Sequence, residues 1–191
     1  MRKYTNINAL KDIATLFLHI QSESNIQQHQ DKLFTITNPI DFLSIINNKY
    51  YLSFPKASKP YLSLQDFSKL LGESWVWSEN PNNDLNIPIS LSTKWFLSAD
   101  KASLMNQDEY QYYHHLPSVF TVYRGVTPGH NPNGLSWTQE FGEAKWFANR
   151  LGSGYVQKGV ATKRNILAYF NRRSEDEIVI NPKTLRKITI I

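Results

Sequence analysis

Residues 172–180 read Arg172-Arg173-Ser174-Glu175-Asp176-Glu177-Ile178-Val179-Ile180: a basic pair, three consecutive acids, then a β-branched apolar run. The apolar run predicts a buried strand that the acids lead into. Successive side chains on a strand point to opposite faces, so Glu175, Glu177 and Val179 are expected on one face and Asp176, Ile178 and Ile180 on the other. Two carboxylates on one face at a strand mouth can divide between them a developing cation and an acceptor. Asp176, turned away, is the member of the triplet expected to tolerate change.

Working outward, a strand is expected at Val119–Tyr123, an extended segment at Leu135–Thr138, and strands at Tyr155–Val160, Asn165–Phe170 and Lys187–Ile191. Between the second and third lies an amphipathic helix with Phe141, Ala144, Phe147, Ala148 and Leu151 on one side, Thr138 as its N-cap and Gly152 as its stop. Several short strands with one helix predict an antiparallel sandwich of two small sheets, not a doubly wound sheet. Upstream the texture is helical. Asn6 to Ile20 carries Leu10, Ile13, Phe17 and Ile20 at helical spacing, and Gln21 to Gln30 reads as a polar helix end or loop. Short helices are expected at Asp41–Tyr50 and at Gln65–Leu71, the second ended by Gly72, with a break at Pro55 and Pro60. Leu85 to Phe96 reads as extended and Ala99 to Tyr113 as helical. The chain therefore divides into an N-terminal helical lobe, residues 1–84, and an α+β domain, residues 85–191. Trp75, Trp77 and the group Tyr110, Tyr112 and Tyr113 are expected to pack.

The 191 residues suit one domain with an appended lobe, and 41% hydrophobic content is ample for a core. With no cysteine, thiolate metal sites, disulfides and a cysteine nucleophile are excluded. No apolar run approaches the ~20 residues of a membrane span, and no signal-peptide pattern follows Met1, so a cytoplasmic location is expected. Charge is uneven. Residues 1–115 hold 10 Lys/Arg against 11 Asp/Glu, whereas residues 116–191 hold 11 against 5. A basic C-terminal part favours anionic ligands such as a dinucleotide or nucleic acid. His114-His115 diverge on a helix and lack a third spaced ligand, so no metal site is expected.

Two more elements could serve the carboxylates. Arg124 ends a strand on the face of Phe120 and Val122, where a guanidinium needs an anionic or carbonyl partner. That partner is either a ligand phosphate or carboxamide, or a structural carboxylate. Gly125 beside it would allow close approach of a ligand. Ser136 and Thr138, two apart on an extended segment, present hydroxyls on one side with Trp137 on the other. They could order a carboxylate or a ribose, or cap the following helix. The turn-rich loop 127–134 has neither a Gly-x-Gly-x-x-Gly nor a Walker pattern.

Tyr123-Arg124-Gly125, then Ser136-Trp137-Thr138 with Ala144 and Phe147, then Glu175-Asp176-Glu177 resemble the motifs of the mono-ADP-ribosyltransferases of the Arg–Ser–Glu class. That group includes bacterial arginine-modifying toxins and related phage enzymes. The resemblance covers about residues 117–182, so part of residues 85–116 is expected to complete the domain. It implies an ADP-ribosyltransferase-like sandwich, NAD as substrate, no metal, and a macromolecular acceptor, a protein with an exposed arginine. On this resemblance Glu177 and Glu175 are the catalytic pair, Glu177 at the nicotinamide ribose and Glu175 at the acceptor. Arg124, Gly125, Ser136, Thr138 and Phe147 would line the NAD site. The loop 171–174 would read the acceptor, and residues 149–155 would lie over the phosphates. Other readings stay open: the same centre modifying nucleic acid, an NAD glycohydrolase, or a basic binding module in which Glu175 and Glu177 only pair with Arg172 and Arg173.

Overall fold

The computed structural model describes residues 3–20 and 26–191. The chain forms two units, one of residues 1–87 and 99–104, the other of residues 88–98 and 105–191.

The first unit is helical. Helix α1 (Ile7–Ile20) opens where the Asn6 side chain accepts from the Ala9 N–H at 3.2 Å. Its buried stripe is Leu10, Ala14 and Leu18, so Ile20 is left exposed rather than joining the expected stripe. Part of the expected polar loop, residues 21–25, lies outside the described residues, and α2 (Ile26–Thr35) follows it. Residues Pro39–Ser44 and Asn48–Tyr50 form two 3-10 turns where one short helix is expected. Pro55 does not break the chain. It sits in the first turn of α3 (Ser53–Ser58), where a missing N–H costs nothing. Helix α4 (Leu64–Trp77), capped by Ser63, runs straight through Gly72. The glycine is there for contact: a Cβ would lie 2.3 Å from the Leu104 carbonyl oxygen of helix α6 (Lys101–Leu104). Phe42, Phe54, Phe67, Leu70 and Trp75 fill the core of this unit.

The second unit combines three helices with a sheet. Residues 85–96, expected to be extended, contain helix α5 (Ile89–Ser98). The Pro88 carbonyl accepts from the Leu91 and Ser92 N–H groups, and Ser92, Trp95 and Phe96 then bury at helical spacing. The helix expected over 99–113 is interrupted at Asn106. There a capping box with Glu109 starts α7 (Gln107–His115).

The strands are β1 (Val119–Val126), β2 (Ser136–Thr138), β3 (Tyr155–Thr162), β4 (Ile166–Phe170), β5 (Glu177–Ile180) and β6 (Arg186–Ile190). All pairs are antiparallel and the order is β4-β5-β2-β1-β3-β6. The expected two sheets are thus one open six-stranded sheet. The reason lies at its centre, where β1 and β2 join through the single pair Tyr123↔Thr138. Two three-stranded halves, β4-β5-β2 and β1-β3-β6, meet at that seam.

Helix α8 (Phe141–Asn149) packs across the seam, burying Ala144 and Ala148 against Tyr123 and Val156. Its N-cap is Glu140, not Thr138, and its C-cap is Arg150. The Thr138 hydroxyl instead accepts from the Glu140 N–H at 3.0 Å, closing the turn that enters the helix. Helices α5 and α7 pack on β4, whose five residues are all buried. Among the described residues no helix is long and apolar enough to cross a membrane.

Candidate active site

The register of the sheet brings the three sequence motifs together. Glu177 opens β5 and pairs with Thr138 on β2; Thr138 pairs with Tyr123 on β1; Tyr123 pairs with Lys158 on β3. Cross-strand partners hold their Cβ atoms about 5 Å apart on one face, so Thr138 and Glu177 are immediate neighbours. Ser136, two residues back on β2, pairs with Val179 on the same face as Glu177. Trp137 points the other way, buried against the core with its indole N–H donating to the Gly134 carbonyl at 3.1 Å. The tryptophan in the middle of the hydroxyl motif is therefore an anchor that fixes which way Ser136 and Thr138 face.

Arg124 sits at the seam with only 8% of its surface exposed. Its guanidinium donates to the Ser136 carbonyl at 2.7 Å and the Asn131 carbonyl at 2.9 Å, and so straps the loop 127–135 and strand β2 onto β1. Its Nε is buried with no hydrogen-bond partner among the described residues. Burial pulls its pKa down to about 10, while the Glu177 carboxylate and Tyr155 hold it up. The side chain is therefore a cation at neutral pH, attracted to Glu177. Of the two partners expected for this arginine, backbone carbonyls take the direct bonds and the catalytic-candidate carboxylate supplies the field.

The acidic triplet departs from simple alternation. The strand begins only at Glu177, so Glu175 and Asp176 belong to the turn from β4. Ser174 and Asp176 have φ of 56° and 45°, the left-handed region that Asp tolerates better than most residues. Glu175 thus does not share a strand face with Glu177. It is half-buried and pairs with Arg173 at 3.2 Å. Burial raises its pKa; Arg173 and Arg150 oppose this, and Glu143 adds to it. Glu143 lies in the first turn of α8 and Arg150 caps its end, so Glu175 lies within the field of that helix's charges.

Asp176, expected to be dispensable, anchors the turn. Its carboxylate accepts from the Tyr169 hydroxyl at 2.5 Å and its N–H donates to the Asn171 side chain at 3.2 Å. Tyr169 stacks on Tyr112 with ring centroids 4.1 Å apart, and the Tyr112 hydroxyl donates to Gln139 at 3.0 Å. Burial and the bond to Asp176 push the Tyr169 phenol well above its usual range. Sequence reading placed Tyr112 in packing alone and did not single out Tyr169, Gln139 or Glu109. Glu109 is 2% exposed and accepts from four donors: Asn106 N–H at 2.9 Å, Asn171 N–H at 2.9 Å, and Arg172 Nε at 3.2 Å and Nη2 at 3.0 Å. Of the basic pair, then, Arg173 does meet Glu175, but Arg172 is bound to α7. The Asn106-x-x-Glu109 spacing is a capping-box signal that could have exposed this residue.

Gly125 serves the helix and not a ligand. A Cβ there would lie 2.1 Å from the Ala144 carbonyl oxygen and 2.6 Å from the Ala148 nitrogen, so only glycine lets α8 lie on β1. Phe147 is half-buried on that helix, its ring 5.0 Å from the Arg150 guanidinium, and its carbonyl accepts from the Thr127 hydroxyl at 2.7 Å. His130, in the loop beyond β1, lies with its Nδ1 3.4 Å from the Pro128 carbonyl oxygen. Among the described residues no group of three or more His, Asp and Glu could hold a metal ion. His114 instead packs edge-on against Tyr110.

The arrangement is a carboxylate beside a hydroxyl and a buried cation, with a second carboxylate in the adjoining turn. Such a site can steady a cationic sugar and orient a nucleophile. Comparison with protein-family models, curated proteins and solved structures finds no match to this chain.

Proposed function

We propose that the chain is an NAD-dependent mono-ADP-ribosyltransferase that transfers ADP-ribose from NAD to an arginine of an acceptor protein and releases nicotinamide. The observation that carries this reading is the seam. Ser136, Thr138 and Glu177 share one face of adjoining strands, and Arg124, next to Tyr123 in that cross-strand row, is bonded to the Ser136 carbonyl and lies in the field of Glu177. The two three-stranded halves joined at one pair are the counterpart of the two small sheets that an ADP-ribosyltransferase-like core implies.

Nicotinamide leaves NAD as a neutral molecule, so the leaving group needs no general acid. The barrier lies in forming an oxocarbenium-like ribose, which an adjacent carboxylate stabilises by its charge. Glu177 takes that role and accepts from the ribose 2′-hydroxyl. Ser136 and Thr138 border it, and Thr138 also fixes the entry to α8. Arg124 is the buried cation whose charge suits the NAD pyrophosphate. A guanidinium acceptor is protonated at any ordinary pH. Glu175 therefore orients and desolvates it from the turn 171–176, and attack on the ribose C1′ expels nicotinamide as a proton passes to the carboxylate.

The test is transfer of label from adenylate-labelled NAD in a cell lysate. The reading requires label on protein that resists nuclease and disappears with Glu175→Gln. Label that nuclease removes would move the acceptor to nucleic acid. Turnover of NAD with no labelled macromolecule would make the enzyme a glycohydrolase.

A further inference from the structure

The outer edge of the sheet carries positive charge that the proposed chemistry does not use. Neither residues 155–174 nor residues 178–191 contain an Asp or a Glu. Lys158 on β3, Arg164 in the 3-10 turn Lys163–Asn165, Lys183 in the 3-10 turn Pro182–Thr184, and Arg186 and Lys187 on β6 are all exposed. None of the five makes an ion pair among the described residues.

The topology gathers these cations along one border. Asn165 Nδ2 donates to the Thr184 carbonyl at 3.4 Å, which brings the turns of Arg164 and Lys183 together at one end. Strand β6 is the last of the sheet, and among the described residues no strand pairs with its outer edge. Its register sets Arg186 opposite Val160 and Thr189 opposite Lys158, so Arg186 and Lys158 share a face. They stand about two residues, or roughly 7 Å, apart along β3. Lys187, with φ of 51°, lies at the irregularity between those pairs.

We propose that this β3–β6 edge is a nucleic-acid-binding surface that grips the phosphodiester backbone. Cations lined along a strand edge match a polymer that carries a phosphate every ~3.4 Å of axis along each strand. Arg164 and Arg186 offer planar forks suited to phosphate oxygens. An anionic bilayer would need apolar and cationic groups on one face. Here Ile188 turns toward Gly159, and Ile190 pairs with Gln157, on the face opposite Lys158 and Arg186. The surface has no aromatic platform on β6 or in the two turns, so it reads no bases and takes duplex and single strand alike. The same cross-strand row that contains Tyr123, Thr138 and Glu177 ends at Lys158 and Thr189. The bound polymer would therefore lie three strand spacings from Glu177 at β3 and four at β6, roughly 15–19 Å. The inference stands on charge and register and does not depend on the reading of the active site.

The experiment is anisotropy of a labelled duplex and a labelled single strand, each of about 20 nucleotides, titrated with the full chain between about 50 and 200 mM salt. The comparison is with Lys158→Glu/Arg186→Glu/Lys187→Glu and with a control of equal charge change, Lys32→Glu/Lys69→Glu/Lys94→Glu. Wild type should bind both strands with log affinity falling against log salt at a slope of about −4. The edge variant should bind at least tenfold more weakly with a slope shallower by about 3, and the control should follow wild type. If circular dichroism shows the edge variant unfolded, the corresponding triple glutamine variant takes its place. Equal weakening by the two charge-reversal sets, absence of salt-dependent binding, or binding to phosphatidylserine vesicles without binding to oligonucleotides would overturn the assignment.

Discussion

Glu175 and Glu177 lie two residues apart in sequence but differ in environment, and that difference separates the roles proposed for them. Glu177, at the first position of a strand, acts electrostatically on the buried Arg124; Glu175 sits half-buried in a turn. Because burial lifts the Glu175 pKa, more of this group is protonated at acidic pH than for an ordinary glutamate. Transfer to an acceptor should therefore rise with pH through that raised value, and Glu175→Gln should abolish this limb while NAD cleavage persists. Removing the cation with Arg150→Ala should move the limb to higher pH, whereas Glu143→Gln should move it lower. A pH profile of transfer that ignores both substitutions would take Glu175 out of the acceptor step. Asp176 should also prove sensitive. In Asp176→Ala the left-handed turn loses its bonds to Tyr169 and Asn171, and transfer should fall more than nicotinamide release.

The turn between β4 and β5 is held from outside the sheet, by α7. Glu109 is buried and satisfies Arg172 and the Asn171 N–H, so Glu109→Ala leaves a largely buried guanidinium without its carboxylate. Denaturant unfolding should show a loss of about 3–5 kcal/mol. Helix α8 and strand β1 meet backbone to backbone at Gly125, and Gly125→Ala should cost roughly 1–3 kcal/mol by forcing them apart. Five of the strands and α8 were legible in sequence because β-branched runs and the Ala144/Ala148 spacing carry their own periodicity, whereas β2, Ser136–Thr138, read only as an extended segment. Helix α5 was not. Its apolar residues read equally well as extended until Pro88 opens a helical turn. Nor was the Glu109 clamp legible, because its partners Arg172 and Asn171 lie more than sixty residues away. Alternation likewise failed for Glu175, since the left-handed Ser174 and Asp176 reset the count of faces.

Across the whole chain, one buried charge and the seam each give a global readout. Burial lowers the pKa of Lys101 on α6 from 10.5 to about 8. Between those values the unfolded chain binds more protons than the folded one, so stability rises with pH through this window. Lys101→Met should remove that rise relative to wild type, a difference on the order of 2–3 kcal/mol between pH 8 and 10.5 in urea titrations. The candidate site was legible as three short motifs in a fixed order, but not the single pair Tyr123↔Thr138 that brings them into one row. Which strands adjoin depends on register, and register is set by pairing between segments that no local pattern relates. The claim that this seam cleaves NAD is tested most directly by nicotinamide release from NAD by the purified chain, measured beside folded Glu177→Gln. The account predicts release by the wild type and a fall of roughly 10²–10³-fold in the variant. Equal release from the two proteins would contradict it, as would no release by the wild type with or without lysate.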